Sequence, residues 1–99
     1  MERYMASSTR VEKGTTIVDV VGQIDLGNSP ALRKTLLDSL QGADRVAVNM
    51  IAVKYIDSSG IASLLEVLRA ARQSKKRFVL FGLTGVFEIR ETEEQALES

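Results

Sequence analysis

Stretches rich in β-branched residues alternate along this chain with leucine-rich stretches of helical spacing, and this alternation constrains the fold more than any other feature. Residues 17–21 are apolar except for Asp19 and predict a strand. Four leucines then fall on one face of a helix: Leu32, Leu36, Leu37 and Leu40. Because parallel strands are joined through helices, the alternation predicts an α/β protein with helices packed on a mixed sheet.

Eight elements are predicted, in the order β-β-α-β-α-β-β-α, within a single domain of residues 1–99. Strands are expected at residues 4–12, 17–21, 45–51, 78–81 and 86–89, and helices at 29–41, 61–74 and 92–97. Gly22 is expected to end or bend the second strand. Ser29 is the predicted N-cap of the first helix, with Pro30 at its first position and Gly42 as its C-cap glycine. The second helix is expected to face the core with Ile61, Leu64, Leu65 and Leu68.

The composition argues against several classes of function. Lys plus Arg and Asp plus Glu number 13 each, so no strong global field attracts nucleic acid or an anionic membrane. The absence of Cys and His removes disulfides, the usual zinc ligands and histidine as a general base, and no metal or cofactor is expected. Residues 1–10 lack an apolar signal core, and no apolar run reaches spanning length, which predicts a cytoplasmic protein without membrane insertion.

The segment Asp57-Ser58-Ser59-Gly60 lies between a predicted strand and a predicted helix. Turns of this kind often carry the functional residues of mixed sheets. The simplest interpretation is that Asp57, Ser58 or Ser59 caps the helix. Two serines after an aspartate, with glycine next, exceed what a cap needs, so the residues alone leave a cap and a functional site both open.

Phosphorylation of Ser58 suits this position physically. A phosphate adds a charge of about −1.5 to −2, which a helix N-terminus tolerates and a docked partner does not. A nucleophilic Ser58 is disfavoured because the chain has no His and no Gly-x-Ser-x-Gly sequence at this turn. A phosphate-binding loop is disfavoured because one glycine is too few for it. We therefore predict a binding module and not an enzyme.

Residues 22–25 are Gly-Gln-Ile-Asp, and residues 55–61 are Tyr-Ile-Asp-Ser-Ser-Gly-Ile. These two motifs resemble those of the STAS domain family, of the anti-sigma-factor antagonist type. The first is similar to the turn before the family's first helix, and the second is similar to its phosphorylation loop. The resemblance implies a STAS-like fold. It also implies that Ser58 is the phosphorylated residue, with Ser59 as the alternative. The implied partner-binding residues are Gln23, Asp25, Asp57, Ser58, Ser59 and Gly60. By itself, Asp25 is equally explained as a turn-forming residue.

The same resemblance implies a partner-switching cycle in bacterial transcription regulation. The unphosphorylated protein binds an anti-sigma factor, often also the serine kinase, and a phosphatase reverses the modification. STAS-like domains also serve as cytosolic subunits of membrane transporters, including lipid ABC systems, and this is the alternative function. The resemblance implies no direct contact with nucleic acid.

One departure from the family pattern lies near the C-terminus. Family members place a helix between the strands that match residues 78–81 and 86–89, whereas only Gly82-Leu83-Thr84-Gly85 joins them here. Four residues are too few for a helix of ordinary length. The two strands therefore form a hairpin, or a segment present in the native protein is missing from this chain.

Overall fold

The computed structural model describes residues 4–82 of the chain. Their elements are strands β1 (Met5–Glu12), β2 (Thr15–Ile24), β3 (Arg45–Ile56) and β4 (Arg77–Phe81), and helices α1 (Ser29–Gly42) and α2 (Ser58–Gln73). The sheet order is β1-β2-β3-β4; β1 pairs with β2 antiparallel, and the other two pairings are parallel. The mixed α/β sheet and its first six elements confirm the sequence prediction. The connection beyond Gly82, the strand at 86–89 and the helix at 92–97 lie outside the described residues.

Both helices cover one face of the sheet, because one buried cluster contains side chains from α1, α2 and the strands. The α1 prediction is confirmed for Leu32, Leu36 and Leu40, which are buried, while Leu37 is half-buried. The α2 prediction is partly wrong. Its buried apolar row is Ile61, Leu64, Val67 and Ala71. The predicted Leu65 and Leu68 are only half-buried, because the helix turns the row that contains Leu64 and Val67 towards the sheet instead.

Helix α1 begins at Ser29, as predicted, and ends one residue later than predicted, but both predicted caps are wrong. Asn28, not Ser29, is the N-cap, because the Ser29 N–H already donates to the Asp25 carbonyl (2.8 Å) inside the first turn. Pro30 is accordingly the second helical residue. Gly42 is the last helical residue, and the C-cap is Ala43, whose backbone is extended. A left-handed glycine is not needed there, since the chain passes directly towards β3.

The two central strands are longer than predicted. Strand β2 bends at Gly22, where φ is +98°, and continues to Ile24. Strand β3 continues to Ile56 and carries two bulges. The first lies between Asn49 and Ala52, and in the second Lys54 is the extra residue opposite the Gly22–Gln23 step. None of the helices in residues 4–82 is long and apolar enough to cross a bilayer.

A polar network crosses three strands on the sheet face opposite the helices. Arg10 of β1 donates from Nε to Asp19 Oδ2 (2.7 Å), and Asn49 of β3 donates from Nδ2 to Asp19 Oδ1 (2.9 Å). The hydrogen bond from Arg10, followed by the one from Asn49, holds the pKa of the Asp19 carboxyl below its usual value. The carboxylate of Asp19 therefore links β1, β2 and β3.

We expect this network to make the fold sensitive to acid. The pKa of Asp19 is lower in the folded protein than in the unfolded chain, where an ordinary Asp has a pKa of about 3.9. Its stabilising effect is therefore complete above that pH and is lost as the pH falls through the folded-state pKa. Urea unfolding should show wild type more stable than Asp19→Asn at about pH 7, with the difference shrinking towards about pH 3. An unchanged difference across this range would contradict the assignment.

Candidate functional site

The turn between β3 and α2 lies beside the connection between β2 and α1. Ile24 and Ile56 are paired at the ends of their parallel strands, and the Asp57 N–H donates to the Ile24 carbonyl (3.1 Å). The two sequence motifs, some 30 residues apart along the chain, therefore meet at one edge of the sheet. This is the edge at which mixed sheets commonly place functional loops.

The Asp57 carboxylate holds the two loops together. It is the N-cap of α2, and its Oδ1 accepts from the Gly60 N–H (3.0 Å). Its Oδ2 accepts from the Leu26 N–H (3.2 Å) in the other loop. The cap that the sequence left open among three residues is therefore Asp57, and its second oxygen serves as a crosslink between the loops.

Ser58 is the first residue of α2 and is exposed, whereas Ser59 is half-buried. The Ser58 hydroxyl makes no hydrogen bond to any other residue in the 4–82 range. It has no capping role, since the Asp57 carboxylate fills that role. The structure thus places an unengaged hydroxyl at the positive end of a 16-residue helix.

Gly60 lies beneath the turn and is buried. A Cβ at this position would come within 2.5 Å of Ile56 Cγ1 and 2.8 Å of Ile24 Cγ2. The absence of a side chain lets the first turn of α2 rest directly on the ends of β2 and β3. Gly60 therefore permits the close packing that fixes the start of α2, where Ser58 lies.

Asp25 and Gln23 are part of the connection before α1. The Asp25 Oδ1 accepts from the N–H groups of Gly27 (3.0 Å) and Asn28 (3.2 Å). The Asn28 side chain also bonds to this segment. Its Oδ1 accepts from the Asp25 N–H (2.9 Å), and its Nδ2 donates to the Gln23 carbonyl (2.8 Å). The turn-forming role that the sequence allowed for Asp25 is therefore present in the structure.

Two residues of this site were missed by sequence reasoning. Asn28 ties Gln23 to Asp25, and its signal was the Asp-x-x-Asn spacing, which is typical of side chains that bond to nearby backbone. Leu26 lies beside the Asp57 carboxylate with 72% of its surface exposed. Leu26 therefore adds apolar surface beside the turn that carries Ser58.

The side chains available for chemistry at this site are limited in kind. The chain contains no Cys and no His, and residues 4–82 contain no group of three or more acidic side chains that could hold a metal. The Asp57 carboxylate is engaged with two backbone N–H groups. The Ser58 hydroxyl lies at the surface at a helix N-terminus, a position that is physically suited to an anionic group.

Comparison with known proteins identifies a matching family and similar relatives. Residues 6–96 match the STAS domain family. An anti-sigma-B factor antagonist from Staphylococcus epidermidis is 32% identical over 68 residues, which is 68% of this chain and 63% of the relative. The match thus spans somewhat less than two thirds of that relative's length.

Solved structures share the fold. SpoIIAA, an anti-sigma factor antagonist, superposes in its unphosphorylated form with a TM-score of 0.71 and 20% identity, over 90% of this chain and 82% of that one. The phosphorylated form of SpoIIAA from Bacillus, described as a cell fate determinant, has a TM-score of 0.71 and 20% identity, over 92% and 83% of the two chains. With the family match over most of its length and the two motifs brought together at one sheet edge, this chain belongs to the STAS domain family.

Proposed function

We propose that this chain is an anti-sigma-factor antagonist. In its unphosphorylated form it binds an anti-sigma factor that is also a serine kinase, and phosphorylation of Ser58 releases the complex. The observation that carries the proposal is the Ser58 hydroxyl, which is exposed and not used as a helix cap because the Asp57 carboxylate occupies that position. The Staphylococcus relative, described as an anti-sigma-B factor antagonist, supports the same role.

The proposed switch acts on the partner and not on the fold. A phosphate on Ser58 would meet the positive end of the α2 dipole and the N–H groups of its first turn, so the folded state accommodates it. The Asp57 carboxylate is fixed next to it by the N–H groups of Gly60 and Leu26. Phosphorylation therefore concentrates negative charge on one small surface, and a docked partner would have to bury that charge.

The proposed contact surface consists of Ser58, the exposed Leu26 and the outer parts of Gln23 and Asp25. Leu26 supplies apolar area beside the switch residue, and Asp57 and Gly60 hold the surface in place. A cytoplasmic location and a phosphatase that restores the hydroxyl complete the proposed cycle. No described feature favours a transporter subunit over this role.

The proposal is tested by mapping the phosphorylation site. With an anti-sigma-factor kinase and ATP, we expect Ser59→Ala to be phosphorylated to the same extent as wild type and Ser58→Ala to remain unmodified, because Ser58 is exposed and Ser59 is half-buried. Intact-mass and peptide mass spectrometry measure both. If Ser58→Ala is phosphorylated to the same extent as wild type, Ser58 is not the phosphorylated residue. Stable co-purification with an ATPase, without phosphorylation, would favour the transporter role instead.

A further inference from the structure

A pocket of about 240 Å³ opens on the sheet face away from the helices, near the ends of β2 and β3. Six residues line it: Tyr4, Val21, Gly22, Gln23, Ala52 and Lys54. Sites for small-molecule ligands usually measure about 300–1,000 Å³. The volume here is better matched to one side chain of another protein than to a cofactor.

Lys54 gives the pocket its charge. It is exposed, it is the only charged residue among the six, and it makes no ion pair or hydrogen bond with any other residue between Tyr4 and Gly82. By contrast, Asp19 and Glu12 on the same sheet are both paired with Arg10. The pocket therefore combines an ammonium group that no residue in the described part of the chain compensates with apolar walls from Val21 and Ala52.

Lys54 lies at a bulge of β3. Gly22 pairs with Val53 and Gln23 pairs with Tyr55, so Lys54 is the unpaired extra residue of β3. Bulges of this kind redirect a side chain and are common beside functional sites. Lys54 is on the same face as Ala52, because the buried Val53 lies between them in the strand alternation.

The pocket lies within reach of a partner that docks on Ser58. Lys54 precedes Ser58 by four residues, which is at most about 13 Å along an extended chain. A partner of ordinary size covers about 800 Å² on each side, a patch of roughly 16 Å radius. Gln23 belongs to both places, since it lines the pocket and its carbonyl accepts from Asn28 in the loop beside Asp57.

We propose that this pocket receives an acidic side chain, Asp or Glu, of the partner that docks on the Ser58 turn. The inference rests on the proposed function and adds the chemistry that the partner must supply. The ammonium of Lys54 compensates the incoming carboxylate, and two other lining residues, Gln23 and Tyr4, have side chains that can donate hydrogen bonds. Lys54 thus selects the partner, while Ser58 controls whether it stays bound.

The test compares charge variants in their affinity for an anti-sigma factor that binds the wild-type protein, measured by isothermal titration calorimetry. We expect Lys54→Gln to weaken binding about tenfold and Lys54→Glu about 50-fold or more, with the effect falling as salt rises. Lys13→Glu is the matched control, because Lys13 is an exposed lysine in the β1–β2 turn at the opposite end of the sheet. It should bind like wild type, and thermal unfolding should show all three variants folded.

Each result has a defined meaning. If Lys54→Glu binds like wild type while Ser58→Asp does not bind, the pocket assignment is wrong and the proposed function stands. If the wild-type protein binds no anti-sigma factor, both fail. Restored binding of Lys54→Glu by a partner with its acidic residue changed to Lys would support the pocket directly. If amide signals of the pocket residues shift with free sodium glutamate, and not with sodium chloride or with the partner, the pocket is a small-carboxylate site and the inference is overturned.

Discussion

Ser58→Asp should weaken binding of the anti-sigma factor by about 100-fold or more, equivalent to ~3 kcal/mol, while the protein stays folded. The substitution places a permanent negative charge on an exposed residue beside the Asp57 carboxylate. A partner surface that closes over this turn must desolvate the new charge without a compensating group. Phosphate carries more charge than aspartate, so phosphorylated protein should bind more weakly still.

Although Ser58→Asp should weaken binding, it should leave the free energy of unfolding unchanged or slightly raise it. An acidic residue in the first turn of α2 interacts favourably with the helix dipole, by about 0.3–1 kcal/mol, so Ser58→Asp should unfold at the same temperature as wild type or slightly above it. Ser58→Asn is the matched control, because it has the size of aspartate without the charge. It should retain most of the affinity. If Ser58→Asn loses binding as completely as Ser58→Asp, then bulk and not charge operates the site, and the switch mechanism is wrong.

Gly22→Ala should lower the free energy of unfolding by about 3 kcal/mol, through backbone strain and a steric collision together. The Gly22 φ of +98° lies where residues with a side chain are strained. An added Cβ would also come within 2.2 Å of the Tyr4 carbonyl oxygen, which accepts from the Gln23 N–H (2.9 Å). In a domain of this size, the loss corresponds to a fall in Tm of about 12–24 °C, measured by differential scanning calorimetry.

Two other glycines separate these causes. Gly14 also has a positive φ, of +80°, but a Cβ there would meet nothing within 4 Å, so Gly14→Ala should incur only the backbone strain of about 1–2 kcal/mol. Gly42 ends α1 in open space with no positive φ, and Gly42→Ala should be neutral or stabilising by up to about 1 kcal/mol. Equal losses at Gly22 and Gly14 would show that the approach to Tyr4 contributes nothing.

Local patterns were sufficient to predict the elements of the fold. A buried face repeats every two residues in a strand and about every 3.6 residues in a helix. The first spacing is visible in the valines and isoleucines of β2 and β3, and the second in the leucines of α1, so each element type could be predicted from its own residues. The ends of elements were predicted less well. Ser29 and Gly42 carry the right residue types for caps, yet the Asp25 carbonyl and the extended Ala43 determine where α1 begins and ends.

Features that depend on register were beyond local patterns. The bulge at Lys54 can be recognised only from the pairing of β3 with β2, whose register has shifted by two residues at the end of the ladder. The exposure of Leu26 beside the switch depends on how two separate loops meet. Neither feature can be predicted from a short segment of sequence, because each depends on contacts between residues about 30 positions apart.

The sequence by itself determined the alternation of strands and helices and the presence of an Asp-Ser-Ser-Gly turn at the start of α2. It left Asp57, Ser58 and Ser59 equal as candidates for the helix cap. Only the tertiary structure decided among them, because the Asp57 carboxylate bonds both to Gly60 in its own turn and to Leu26 across the sheet edge. With both oxygens of Asp57 engaged, the cap is complete and the Ser58 hydroxyl remains at the surface.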